Sequence, residues 1–262
     1  MTRYRNYKIA IWILSILLIF ESILLLRFWI TFPKKIPKIP PIAIKGKIAI
    51  VIDDWGYNLD HLDILSQIKY PFTASVLPNL NYSQGIAEIL HKKGLQIILH
   101  LPMEPYEKYR LEQNTIMASM DSATIERIVN HALQDVPYTV GVSNHMGSKA
   151  TEDLRTMQII FKELKSRHLY FLDSLVSTKS ICADLALKLK LPFAKRDVFL
   201  DNKEEYGYIK QQIEKLKTRA RIQGEALGIG HDCRITLEVL KEVMPVIEKE
   251  GYQFIFVSDL VR

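Results

Sequence analysis

Five side chains able to hold a metal ion or move a proton fall at the ends of short apolar runs. They are the adjacent pair Asp53 and Asp54, His100, His145 and His231. The pair closes KIAIVIDD (47–54), and His100 lies late in LQIILHLPM (95–103). Asn144 and His145 interrupt VGVSNHMGS (140–148), and His231 ends ALGIGH (226–231). Asp173 in YFLDS (170–174), and Asp197 with Asp201 in FAKRDVFLD (193–201), repeat the pattern. Two imidazoles and a carboxylate make a three-ligand site for a divalent cation with positions left open. A cation so held lowers the pKa of a water towards 7 and polarises a carbonyl. A second carboxylate can then take a proton, and an opposed imidazole can give one.

The elements that must position these groups are legible from periodicity. The runs above, with FTASVLP (72–78) and QFIFVSD (253–259), are rich in Ile, Val and Phe and read as strands. Amphipathic helices are expected over Ser83–Lys93, stopped by Gly94, and over Thr151–Arg167, with Thr151 as N-cap and Glu152 and Asp153 at the positive end of the dipole. A third is expected over Thr236–Glu250, bent or weakened by Pro245. Alternation of helices with near-continuous apolar strands predicts a parallel α/β sheet, open or closed into a barrel. Sites on such sheets lie at the carboxyl ends of the strands, where these polar residues fall.

Plainer readings exist for the same residues. Asp53 and Asp54 would also cap a following helix, with Trp55 and Gly56 in the turn, and Gly147 and Ser148 would cap another or hold an anion on backbone N–H groups. Trp55, Tyr106 and Tyr109 suit either sugar stacking or packing, Arg110 and Glu112 carry no argued role, and RDVFLD suits a strand ending in an ion pair. His61, His91, His131 and His168 fall in helical or turn segments and are expected at the surface.

The 262 residues, 48% apolar, suffice for one domain and a modest extra, which excludes wholesale disorder. Two cysteines, Cys182 and Cys233, exclude a disulfide scaffold. The net charge of +6 is unevenly spread: residues 1–46 hold eight Lys or Arg against the single acid Glu21, leaving 27 basic and 28 acidic side chains beyond. A domain so near neutrality lacks the footprint of a nucleic-acid binder.

The excess charge flanks IAIWILSILLIFESILLL (9–26). Its six Ile, six Leu and one Phe favour membrane insertion by roughly 6 kcal/mol, against about 2.5 for Glu21 at mid-membrane. Signal-peptide cleavage needs small residues, whereas Arg27, Phe28, Trp29, Ile30 and Phe32 are bulky. Residues 1–31 are therefore expected to be an uncleaved membrane anchor or signal, and 32–46, with Pro33, Pro37, Pro40 and Pro41, an extended spacer before a domain over 47–262. Arg27, Lys34, Lys35, Lys38 and Lys45 after the span run against the positive-inside bias, so the expected extracytoplasmic placement, periplasmic or at the cell surface, rests partly on function.

From Lys47 to the carboxyl terminus the sequence resembles the divergent polysaccharide deacetylases, relatives of esterases that remove N- or O-acetyl groups from glycans. The segments IAIVIDDWGYN, LHLPMEP, GVSNHMGS, FLDS, RDVFLDN and IGH, with Thr236-Leu237 shortly after, come in the family's order. The resemblance implies a deformed (β/α)7-type barrel and a metal-dependent hydrolase ancestry, with zinc as the expected divalent metal. It implies Asp53 as base, Asp54 as ligand and His231 as general acid. The family's second motif has two His four positions apart, whereas here Glu104 follows His100 at that spacing. Either Glu104 takes the position or His145 completes the set. Pro102 and Pro105 stiffen the loop, and His145 is expected. Arg196 and Asp197 are then expected to orient the base or the acid, and Asp173 and Asn144 to bind the metal's outer shell or sugar hydroxyls.

The expected activity is metal-dependent deacetylation of a cell-envelope glycan: a water attacks the acetyl carbonyl, Asp53 takes its proton and His231 protonates the departing amine or alcohol. The alternatives are a catalytically weak, membrane-tethered protein that binds glycan or a partner, and a phosphoesterase on the same constellation.

Overall fold

The computed structural model of the protein describes residues 2–31 and 44–262, in two units, residues 1–42 and 43–262, each taken by itself. The proline-rich spacer expected over 32–46 lies outside the described residues up to 43. Lys45 and Gly46 already belong to the second unit, where the Lys45 N–H bonds Gly251 O at 2.8 Å and Gly46 opens the first strand.

In the first unit, α1 (Thr2–Thr31) is one helix. Within its segment Tyr4–Ile30 an 18-residue window reaches a mean hydropathy of 2.7, with no buried residue. It is long and apolar enough to cross a membrane, a test a signal sequence also passes.

In the second unit the apolar runs form nine strands that pair in parallel: β1 (Gly46–Trp55), β2 (Thr73–Val76), β3 (Gln96–Met103), β4 (Thr139–Met146), β5 (Tyr170–Asp173), β6 (Phe193–Lys195), β7 (Val198–Phe199), β8 (Glu225–His231) and β9 (Tyr252–Ile255). The order is β6-β5-β4-β3-β2-β1-β8-β7. The stretch expected as one strand over 193–201 is two, since the chain leaves one edge of the sheet at Lys195 and joins the other at Val198. Arg196 N–H bonds Asp173 O at 3.0 Å and Asp197 N–H bonds Leu227 O at 2.9 Å, one to each neighbouring strand. Two residues thus close the sheet into a deformed barrel in which β6 and β7 share one of seven positions. β9 pairs with the start of β1.

Strand alternation sends Ala49, Val51, Ile98, Leu172, Leu227 and Ile229 into the barrel, where they pack with Ile255, Val257 and Leu260. The carboxyl-terminal residues seal the end where the strands begin: Val257 N–H bonds Thr73 Oγ1, and Arg262 exchanges backbone bonds with Phe193. The opposite faces of the strands pack under α2 (Leu62–Leu65), α3 (Ser83–Lys92), α4 (Ser122–Asp135), α5 (Leu154–Ser166), α6 (Cys182–Leu189), α7 (Tyr206–Gln223) and α8 (Arg234–Lys249) in a larger apolar shell. The cap of α5 is Asp153, whose carboxylate takes the Thr156 N–H, while the expected Thr151 lies in a preceding 3-10 turn. Apolar packing carries α8 through Pro245, with Leu237, Leu240, Met244 and Ile247 buried.

Candidate metal centre

The same alternation that fills the barrel's interior continues to its open rim. Beyond Val51, Ile98 and Ile229 the next inward residues are Asp53, His100 and His231. A regular strand would then turn Asp54 to the opposite face. Instead Asp54 takes a left-handed φ of 67°, and the register of β1 against β2 slips between Ile52 and Trp55. This bulge brings consecutive carboxylates to one imidazole: His100 Nε2 is 3.3 Å from Asp54 Oδ1 and 3.7 Å from Asp53 Oδ2. It also answers the capping alternative, since both carboxylates are spent on the rim.

His145 reaches the same point from β4. Its Nδ1 is 3.1 Å from Asp54 Oδ1, and its ring meets that of His100 edge-on at 4.9 Å. Asp54, His100 and His145 can each offer one donor atom within 4.8 Å of the others. Ligands about 2.0–2.2 Å from a shared ion lie at such separations. Two further atoms support the fit: His145 Nε2 and Asp53 Oδ1 are buried without a hydrogen-bond partner, a condition that costs about 1–3 kcal/mol each unless something polar meets them. The donor set, two nitrogens and a carboxylate oxygen, suits zinc and similar divalent cations.

Glu104, which follows His100 at the family's usual spacing, turns away. Its Oε1 holds Lys149 Nζ at 2.7 Å and its Oε2 takes the Ala118 N–H at 2.7 Å, so it fastens two loops.

The two aspartates differ in proton affinity. Burial raises Asp53, and the neighbouring Asp54 charge adds to that effect against His100 and His231. Burial acts on Asp54 too, but hydrogen bonds and charge from His100 and His145 outweigh it and hold that carboxyl well below its ordinary value. Asp53 thus has the greater tendency to hold a proton, as a base needs.

His231 is the partner of Asp53 in the β1–β8 register and is held by Asp201, whose Oδ1 meets its Nδ1 at 3.0 Å and whose Oδ2 takes its backbone N–H at 2.7 Å. Thr236 donates to the same Oδ2 at 2.7 Å. Burial lowers the imidazole's pKa, but the bond and charge of Asp201 prevail and push it up to about 9. Arg196 donates to the carbonyls of Ser174 and Leu175 at 2.7 and 2.9 Å, with its charge acting on Asp53 and Asp173.

Other expected participants are engaged by partners away from the three donor atoms. Asp197, expected to orient the base or acid, spends its carboxylate on the Leu227 N–H and on Arg219, 30 and 22 residues away in sequence. Its Oδ2 is fixed by the strand it must anchor, and Asp201 takes the role of holding His231. Asn144 clamps β4 to the end of β5 by accepting the Ser174 N–H and donating to Met146 O. Asp173 accepts from Ser180 Oγ and Leu175 N–H. Both are buried, with their polar atoms engaged by backbone and hydroxyl. Trp55 is buried in the core, whereas Tyr106 and Tyr109 are exposed.

Three groups escaped the sequence reading. Ser75 and Ser143 are fully buried, 2.7 Å apart, and Ser143 Oγ lies 2.7 Å from His100 Nδ1. Their signal was a hydroxyl at an inward position of an otherwise apolar strand. His61, expected at the surface, is half-buried against Asp232 at 2.8 Å, beside the rim. Burial raises Asp232 to about 6 despite that partner. The other three helical or turn histidines are exposed, as expected.

The profile of the divergent polysaccharide deacetylases matches residues 50–261. The chain is 36% identical over 202 residues to the uncharacterized protein YibQ of Escherichia coli, covering 77% of this chain and 63% of that protein. It is 31% identical over 197 residues to an uncharacterized protein of Haemophilus influenzae, covering 75% and 70%. The match thus spans less than two thirds of the Escherichia coli relative's length. An uncharacterized protein of Agrobacterium tumefaciens shares the fold, with TM-score 0.80 at 20% identity over 84% of this chain and 90% of that one. The match to residues 50–261 takes in the first of the six segments that carry the sequence resemblance from Ile50 onward and the other five whole, and this chain belongs to the divergent polysaccharide deacetylase family.

Proposed function

We propose that the protein is a zinc-dependent hydrolase that removes acetyl groups from an N- or O-acetylated polysaccharide of the cell envelope. The observation that supports this reading best is the convergence of Asp53, Asp54, His100 and His145 on one rim, with nitrogen–oxygen separations of 3.1 to 3.7 Å, and with His231 beside Asp53 in the β1–β8 register. Asp54, His100 and His145 are the residues that would hold the ion. A divalent ion there supplies polarisation of the acetyl carbonyl and acidification of the attacking water.

The protein's own groups do the rest. Asp53, its proton affinity raised by burial, accepts the proton of the attacking water. His231, kept protonated by Asp201 through neutral pH, donates to the departing amine or alcohol. Arg196 anchors the loop after β5 and sets a positive charge near Asp53. Exposed Tyr57, Tyr106 and Tyr109 flank the rim on the loops after β1 and β3 and offer faces for sugar rings. The helix Thr2–Thr31 would tether the domain outside the cytoplasm, where such a glycan lies.

Acetate release from acetylated chito-oligosaccharides and from peptidoglycan, with zinc-loaded protein, tests the reading. Release abolished by chelation is expected. Glycan retention without acetate would replace the reading with a binding protein, and phosphomonoester hydrolysis would replace it with a phosphoesterase.

A further inference from the structure

Between β2, β3 and β4, inside a barrel packed mainly with apolar side chains, three polar groups make an unbroken chain. Ser75 and Ser143 have no exposed surface and His100 is 3% exposed. His100 Nδ1 to Ser143 Oγ is 2.7 Å, and Ser143 Oγ to Ser75 Oγ is 2.7 Å. Ser75 in turn acts on the Asp53 carboxylate, lowering its proton affinity against the effect of burial. The strands dictate this neighbourhood: His100 and Ser143 are direct partners in the β3–β4 register, and Asp53 and Ser75 each follow the Ile52–Ala74 pair, where the β1–β2 register slips.

We propose that Ser143 and Ser75 are positioning residues that join the metal-binding edge of His100 to the base Asp53 through a one-way chain of hydrogen bonds. The proposal rests on the metal-site reading above. Nitrogen binds a cation through its lone pair, so His100 presents Nε2 to the ion only with its proton on Nδ1. Nδ1–H then donates to Ser143, leaving the Ser143 hydroxyl to donate to Ser75 and the Ser75 hydroxyl to donate to Asp53. A carboxylate accepts without needing to donate, so it ends the chain with every hydroxyl proton used. The direction is fixed at both ends, by the ion and by the carboxylate, and no proton is transferred along it. An imidazole that binds metal ordinarily gives its second N–H to a carboxylate or carbonyl. Here two hydroxyls carry that bond onward to the group proposed to activate water, so ligand and base are oriented by one device.

The test is zinc affinity, measured by competition with a chelating dye, together with the ¹⁵N signature of His100 in the zinc-loaded full chain. Wild type is expected to show His100 protonated at Nδ1 with a slowly exchanging proton. Ser143→Ala should weaken zinc roughly 10- to 100-fold. Ser75→Ala, one bond further from the ion, should weaken it roughly three- to tenfold. Ser143→Thr, which keeps the hydroxyl, should lie near wild type. Folding of each variant is checked by its thermal transition, and Ser75→Ala decides if Ser143→Ala does not fold. Wild-type zinc affinity in both alanine variants, with Asp54→Ala still losing the ion, would overturn the relay alone. Failure of wild type to bind zinc would overturn the metal reading and the relay together.

Discussion

His231 Nδ1 lies 3.0 Å from Asp201 Oδ1, and the same carboxylate takes the His231 backbone N–H at 2.7 Å. One buried aspartate therefore fixes both the ring and the strand end that carries it. Because Asp201 is what raises His231 to about 9 while burial works the other way, Asp201→Asn should drop the imidazole to its ordinary value or below. Proton NMR titration of the His231 ring reads this directly, and the basic limb of any pH–rate profile should fall by roughly two units with it. Stability follows the same sign. A raised histidine pKa stabilises the fold fully below about pH 6.5, and the contribution fades as pH rises through about 9. The variant should lose stability at pH 6 and little at pH 10.

Asp53 and Asp54 are adjacent in sequence but are assigned different work. Asp53→Asn should lower acetate release on the order of 10²-fold or more while leaving metal stoichiometry intact. Loss of the ion in Asp53→Asn would mean that the two carboxylates share the ligand role.

Glu104 and His145 offer a second contrast. Since Glu104 is spent on Lys149 and the Ala118 N–H, Glu104→Gln should keep the metal and lose at most about 1 kcal/mol of stability from a half-exposed ion pair. His145→Ala should lose the metal. Metal analysis beside urea unfolding of both variants separates the two effects.

The barrel interior makes a prediction independent of chemistry. A Cβ on Gly141 would stand 2.4 Å from the Tyr170 ring, which is itself buried. Gly141→Ala should cost about 1–3 kcal/mol in urea unfolding by forcing that ring aside.

The strands and the rim position were legible because apolar runs ending in Asp or His carry their own periodicity, and His100 and His231 follow directly from it. Asp54 was legible only as a neighbour of Asp53. Its approach to the same imidazole depends on a bulge with φ 67°, which periodicity does not encode. Asp197 and Asp201 looked alike at the end of one run. The chain jumps from one sheet edge to the other between Lys195 and Val198, so the first faces the backbone of β8 and the second faces His231. His61 was hidden because its partner Asp232 is 171 residues away in sequence.

The most direct measurement is the metal content of the purified full chain and of its Asp54→Ala and His145→Ala variants, after dialysis against trace zinc. The account predicts about one zinc per wild-type chain and close to none in either variant. A wild-type chain that stays metal-free, or variants that keep a full equivalent, would contradict it.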